Sequence, residues 1–189
     1  NKAYIYAKRS IKDKEAPKYV KKQCKKFVEI ADGKDKKYCI NEEKVKQIEN
    51  VLKLLIMPKG LKAGQTLYEC TTNYQWLFYI SILAVVYRED KARRRYETGL
   101  LEICRKNFKT YTIGTLFILL FLLEPRFSKF YSLAPDGTLS REVKEAISET
   151  LKASPLVYMF KGEPRFKILR DSITFKLNEN KNEIDIIRR

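Results

Sequence analysis

The sequence predicts an α/β protein preceded by a helical N-terminal segment, and three observations carry that prediction. From residue 98 to 153 the pattern runs strand, loop, helix, strand, helix, the order of a βαβα unit whose parallel strands are covered by helices. Two stretches, 74–87 and 109–123, are almost wholly apolar and read as buried helices. The first 62 residues read instead as basic, amphipathic helices.

Taken in order, residues 1–31 form a basic helical segment, with Pro17 in the first turn of a helix over 18–30 that turns Val20, Cys24, Phe27 and Val28 to one side. Residues 31–37 make a turn punctuated by Asp32-Gly33. Asn41 caps the next helix, and Glu42 and Glu43 suit the positive end of its dipole. Val45, Ile48, Val51, Leu52, Leu55 and Ile56 recur at helical spacing until Pro58 and Gly60 stop the run. The apolar helix over 74–87 leads into a basic knot of Arg88, Lys91, Arg93, Arg94 and Arg95. Residues 98–103 read as a short buried strand, followed by a loop at 105–108 and the second apolar helix at 109–123. A strand over 129–133 ends at the turn Pro135-Asp136-Gly137. Thr138 or Ser140 then caps a helix with Val143, Ala146, Ile147 and Leu151 inward. Beyond Pro155, Phe166 and Ile168, then Ile173, Phe175 and Leu177, alternate as a strand pair.

At 189 residues the chain has the length of about one domain. It holds 39 Lys+Arg against 23 Asp+Glu, a formal charge of +16, and the first 62 residues carry 18 of the bases and 8 of the acids. Such an excess suits a polyanionic partner, although a solvated lysine-rich surface has the same composition. The absence of histidine excludes His-ligated zinc, Ser-His-Asp triads and Cys-His dyads. Cys24, Cys39, Cys70 and Cys104 contain no CxxC pair, which predicts free thiols in a reducing compartment. Both apolar runs fall short of the ~20 residues of a membrane span, so they predict core helices and no membrane partner. The start has no apolar signal-peptide region and no Met, which predicts an excerpt of a longer protein.

The chemistry concentrates in Ile103-Cys104-Arg105-Lys106-Asn107-Phe108-Lys109-Thr110, between the predicted strand and the second apolar helix. Open sheets bind ligands beyond the carboxyl ends of their strands. A Lys-Thr pair at a helix start is where a P-loop sets its phosphate-binding lysine and its magnesium-binding hydroxyl. The N–H groups of a first helical turn add their own attraction for phosphate oxygens. Neither glycine of GxxxxGK[ST] is present, since Ile103 and Phe108 stand at those positions.

The stretch Leu101-Glu102-Ile103-Cys104-Arg105-Lys106-Asn107-Phe108-Lys109-Thr110 resembles the deviant Walker A segment of the large terminase subunit of tailed bacteriophages. Upstream, Lys59-Gly60-Leu61-Lys62-Ala63-Gly64-Gln65 and Tyr74-Gln75-Trp76 are similar to that family's region before the loop. Downstream, Tyr131-Ser132-Leu133-Ala134-Pro135-Asp136-Gly137 is similar to its second strand and turn.

The resemblance implies a partial P-loop (ASCE-type) nucleoside triphosphatase core over 63–189, behind a basic helical segment over 1–62. It implies ATP and Mg²⁺ as cofactors, and a motor that packages viral double-stranded DNA in the host cytoplasm. The portal protein, the small terminase subunit and a homo-oligomeric ring would be its partners. Carried over by position, Lys109 takes the phosphates and Thr110 the metal. Lys106 and Asn107 complete the binding loop. Arg105 offsets charge on the transferring phosphate, a task suited to a guanidinium. Gln75 reads the adenine edge. Two departures stand out. Phe108 replaces a small residue at a place where the backbone closes tightly, and no apolar strand ending in Asp-Glu follows, since Ile184-Asp185-Ile186-Ile187 leads into Arg188-Arg189. Little ATPase activity is therefore expected from this chain alone. The alternative is a basic nucleic-acid or capsid-docking module with a vestigial P-loop. A small P-loop kinase fits less well, for lack of a glycine-rich loop and a lid.

Overall fold

The computed structural model describes residues 2–104, 106–124, 128–133, 137–155, 166–169, 172–177 and 180–187. Helices α1 (Lys2–Lys12), α2 (Lys18–Ala31), α3 (Glu42–Leu54), α4 (Leu67–Cys70), α5 (Asn73–Ala84), α6 (Lys109–Leu123) and α7 (Gly137–Ala153) are joined by strands β1 (Tyr38–Ile40), β2 (Val85–Tyr87), β3 (Lys129–Leu133), β4 (Phe166–Ile168), β5 (Ser172–Leu177) and β6 (Asn180–Ile187). The protein is thus a mixed helix and sheet structure, in keeping with the expected α/β class. Two compact units interleave in sequence, residues 1–47 with 71–102 and residues 48–70 with 103–189.

In the first unit α1 packs on α2 and on α5. Its buried residues are Ala3, Ala7 and Ser10, small side chains one turn apart that let another helix come close. Helix α2 buries Cys24, Phe27 and Ile30, with Pro17 one position earlier than expected, at the N-cap. Its end is closed by Gly33 at φ +74°, whose N–H reaches the Ile30 carbonyl at 3.1 Å. Asn41 caps α3 as predicted, with Oδ1 accepting from the Lys44 N–H at 3.2 Å.

Two expectations are corrected in this unit. The apolar helix stops at Ala84, and the β-branched Val85 and Val86 enter a strand that pairs antiparallel with β1, Cys39 opposite Val86. Residues 98–103 form no strand. Leu100 is 87% exposed, so the segment lacks the burial that a central strand requires. Gly99 lies so close to α5 that a Cβ there would stand 2.8 Å from Ile82 Cδ1. That close approach, rather than a strand boundary, accounts for the glycine.

In the second unit α6 keeps its predicted bounds and packs against α7, with Gly114 against Ala146 and Ile147. Ala146, Ile147 and Leu151 are buried as expected, while α7 begins at Gly137, ahead of both predicted caps. The sheet order is β3-β6-β5-β4. The expected strand pair is present as β4 and β5, Phe166 opposite Phe175. Strand β6 was not anticipated; it runs parallel to β3, Tyr131 opposite Asp185, and antiparallel to β5. The only parallel pair among the described residues is therefore β3 with β6, not β3 with a strand leading into the loop. Phe121 ties α6 to the sheet through ring contacts with Phe130 at 5.6 Å and Phe166 at 6.4 Å.

Candidate functional site

Lys109 and Thr110 are the first two residues of α6, and the backbone before them is unusual. Lys106 (φ +66°) and Phe108 (φ +54°) both adopt the left-handed region, which costs a side chain of this size about 1–2 kcal/mol. Asn107 stands between them, its Nδ2 donating to the Cys104 carbonyl at 3.4 Å. Phe108 is the N-cap residue, and its side chain has no acceptor to offer the helix. Its carbonyl accepts from the Thr112 N–H at 2.9 Å and from Thr112 Oγ1 at 3.0 Å. The N–H groups of Lys109, Thr110 and Tyr111 precede the first intrahelical bond and point out of the helix end, with the positive end of the dipole behind them.

Lys106, Asn107, Phe108 and Lys109 are exposed and Thr110 is half-buried. The Phe108 ring, 57% exposed, packs edge-on to Tyr111 with centroids 6.4 Å apart, so it stands beside the turn. The fold thus gathers Lys106, Asn107, Lys109 and Thr110 into one turn. Arg105 lies outside the described residues.

One polar cluster beside this turn had no sequence-level signature. Tyr111 donates to the Glu149 carboxylate on α7, and Lys59 meets the same carboxylate at 3.0 Å. Lys59 Nζ also lies 5.7 Å from the centre of the Tyr111 ring. Burial, and then the bond to Glu149, raise the Tyr111 phenol above its ordinary range. The Tyr111 and Lys59 hydrogen bonds hold Glu149 below the usual carboxylate range, and Glu149 in turn raises Lys59. The one tyrosine of α6, in a helix whose other residues after the first turn are Thr, Gly, Phe and aliphatic, was the available clue.

Gln75 belongs to the first unit and the loop to the second. Its carboxamide oxygen closes a capping box at the start of α5, accepting from the Thr72 N–H and from Thr72 Oγ1, each at 2.8 Å. Only 8% of the residue is exposed. To read an adenine edge, that carboxamide would have to leave its cap.

The basic knot is largely engaged in internal contacts. Arg88 donates to the Asp35 carbonyl at 2.9 Å and to the Gly33 carbonyl at 3.2 Å. Arg93 stacks over Tyr87 at 4.6 Å, and Arg95 over Tyr38 at 4.3 Å and Tyr96 at 4.6 Å.

What the turn offers chemically is two ammonium groups (Lys106 and Lys109), the Asn107 carboxamide, the Thr110 hydroxyl and a set of outward N–H groups, a donor set that fits a phosphate. Among the described residues no group of three His, Cys, Asp or Glu side chains could hold a metal ion. A Mg²⁺ ion here would rest on Thr110 and on the phosphates themselves. No helix of the described residues is long and apolar enough to cross a membrane. Comparison with protein-family models, curated proteins and solved structures finds no match to this chain.

Proposed function

We propose that this chain is the nucleotide-binding part of a P-loop (ASCE-type) ATPase of the large-terminase kind, the enzyme that drives viral double-stranded DNA into a procapsid. The observation that carries the reading is the turn itself. Two left-handed residues deliver Lys109 and Thr110 to the start of an uncapped, half-buried helix, which is the arrangement an anion needs.

In this reading Lys109 would hold the β and γ phosphates by its ammonium charge, and Thr110 would supply an oxygen ligand to the metal. The first-turn N–H groups hold phosphate oxygens without reorganising. Mg²⁺, when bound, neutralises phosphate charge. Arg105 is assigned to the transferring phosphate by resemblance alone, as are the portal protein, the small terminase subunit and the ring as partners. Turnover by this chain alone is expected to be slight, because no Asp-Glu pair follows an apolar strand.

The test is titration with a fluorescent ATP analogue and Mg²⁺. Saturable binding that weakens tenfold or more in Lys109→Ala supports the reading; binding that is absent, or indifferent to that change, overturns it. Two observations favour a second reading, the basic module with a vestigial loop: residues 98–103 form no strand, and the Gln75 oxygen is committed to Thr72. That reading expects no ATP binding and a salt-sensitive affinity for DNA that Lys109→Ala leaves intact.

A further inference from the structure

Helix α2 borders an open groove of about 710 Å³ lined by Ala16, Lys18, Tyr19, Lys21, Lys22 and Lys25. Its lysines fall into two groups. Lys26 is neutralised by Asp35 at 2.7 Å and Glu29 at 3.1 Å, and Lys21 gives its ammonium to the Lys14 carbonyl at 3.1 Å. Among the described residues, Lys18, Lys22 and Lys25 have no ion pair and no side-chain hydrogen bond. They stand at i, i+4 and i+7, on one face and roughly 5 Å apart along the axis.

The helix gains nothing from holding them there. Like charges at this spacing repel, and Lys18 lies in the first turn, where the dipole disfavours a cation. The one acid of α2, Glu29, is already taken by Lys26. A row of uncompensated cations is stabilised once an anionic strand runs along it.

Tyr19 adds a second, different feature. It is 80% exposed, and it stands between Lys18 and Lys22 in sequence on the lining of the same groove. A cationic groove that tracks phosphates, with an aromatic face on which a base can stack, is the combination that holds single strands. A duplex keeps its bases stacked on each other and has no use for the ring. The rival cationic region, Arg88 to Arg95, is tied into backbone carbonyls and tyrosine rings.

We propose that the α2 groove binds single-stranded nucleic acid, with phosphates on Lys18, Lys22 and Lys25 and a base stacked on Tyr19. The proposal concerns the first unit and does not rest on the phosphate-binding turn. It is tested by fluorescence anisotropy with a labelled 12-mer of oligothymidylate and a duplex of equal length, over a range of salt. The single strand is expected to bind more tightly than the duplex. Replacing Lys18, Lys22 and Lys25 by Gln should flatten the dependence of log affinity on log salt by about 2, near 0.7 per phosphate. Tyr19→Ala should weaken the single strand about tenfold and leave the duplex unchanged. Lys109→Ala should alter neither. All four positions are exposed or half-exposed, and unchanged thermal melts will show that the variants are folded. An unchanged salt slope in the triple variant, a silent Tyr19→Ala, or tighter binding of the duplex would each overturn the proposal.

Discussion

The Tyr111 hydroxyl donates to the Glu149 carboxylate and so joins the first turn of α6 to α7, next to the turn that presents Lys109. Lys59 completes the group from a loop 90 residues away in sequence. The three shifts agree: phenol protonated, carboxylate charged and ammonium charged across neutral pH. A hydrogen bond from a half-buried phenol to a charged acceptor contributes about 1–2 kcal/mol. Tyr111→Phe is expected to lower unfolding stability by that amount in urea titrations, and Glu149→Gln to lower it too. The double variant should cost clearly less than the two changes summed. Simple additivity would mean that the bond contributes nothing. Lys59→Met should have a smaller effect that shrinks with added salt, since Lys59 is 63% exposed.

Phe108 holds φ +54° with its ring largely in solvent. The left-handed region disfavours a β-branched side chain most and glycine least. Phe108→Gly should therefore be at least as stable as the parent, even after losing the Tyr111 ring contact, and Phe108→Val should be less stable than Phe108→Gly by more than about 1 kcal/mol. Thermal melts of the pair decide this. If Val matches Gly, the turn is not left-handed in solution. Should the turn bind phosphate, Phe108→Gly also tightens Mg-ATP, because glycine adopts the left-handed backbone without strain and leaves more room at the turn.

What could be read from the sequence was local. Asn41 with Glu42 and Glu43 announces a helix start, and Glu124-Pro125 announces an end, because capping and the missing proline N–H act within a few residues. The apolar run after Asn73 was harder. It has no polar face, so periodicity could not show where helix gives way to strand, and the Val85–Tyr87 strand is set by β1, which lies far away in sequence. Residues 98–103 misled in the opposite way. Leu100, Leu101 and Ile103 look like a buried strand, but a strand also needs partners for its backbone, and sequence alone does not supply them. At the candidate site the order Lys109-Thr110 was legible as a helix start. The Lys59, Tyr111 and Glu149 cluster was not, since it joins three segments by tertiary packing.

Asp35 provides a test by acid. Its carboxylate takes Lys26 at 2.7 Å, and Oδ1 accepts from the Lys37 and Tyr38 N–H groups at 2.8 and 2.9 Å. The Lys26 bond first, and then these backbone donors, hold its pKa at about 2, below the ordinary 3.8. A depressed carboxylate stabilises the fold above its unfolded pKa and loses that contribution as pH falls through the folded value. Asp35→Asn should thus cost about 1 kcal/mol near pH 7, and the gap to the parent should close between about pH 4 and pH 2. The measurement is the difference in Tm between the two proteins across that range. A gap that stays constant down to pH 2 would show that the charge on Asp35 contributes nothing.

Gly114 lies in the middle of α6, where glycine costs about 1 kcal/mol relative to alanine through the freedom it keeps in the unfolded chain. The expected objection is crowding by α7, and the distances answer it. A Cβ built at Gly114 stands 3.4 Å from Ala146 Cβ, 3.5 Å from Ile147 Cγ1 and 3.6 Å from the Ile147 nitrogen. These are ordinary van der Waals contacts, so one methyl fits and adds dispersion. Gly114→Ala should raise the urea midpoint, with a gain of up to about 1 kcal/mol. Gly114→Leu has no such room and must push α7 away, at a cost of about 1–3 kcal/mol. Loss of stability in both variants would mean that α6 and α7 lie closer together than these distances indicate, and a gain in both would mean that they do not pack at Gly114.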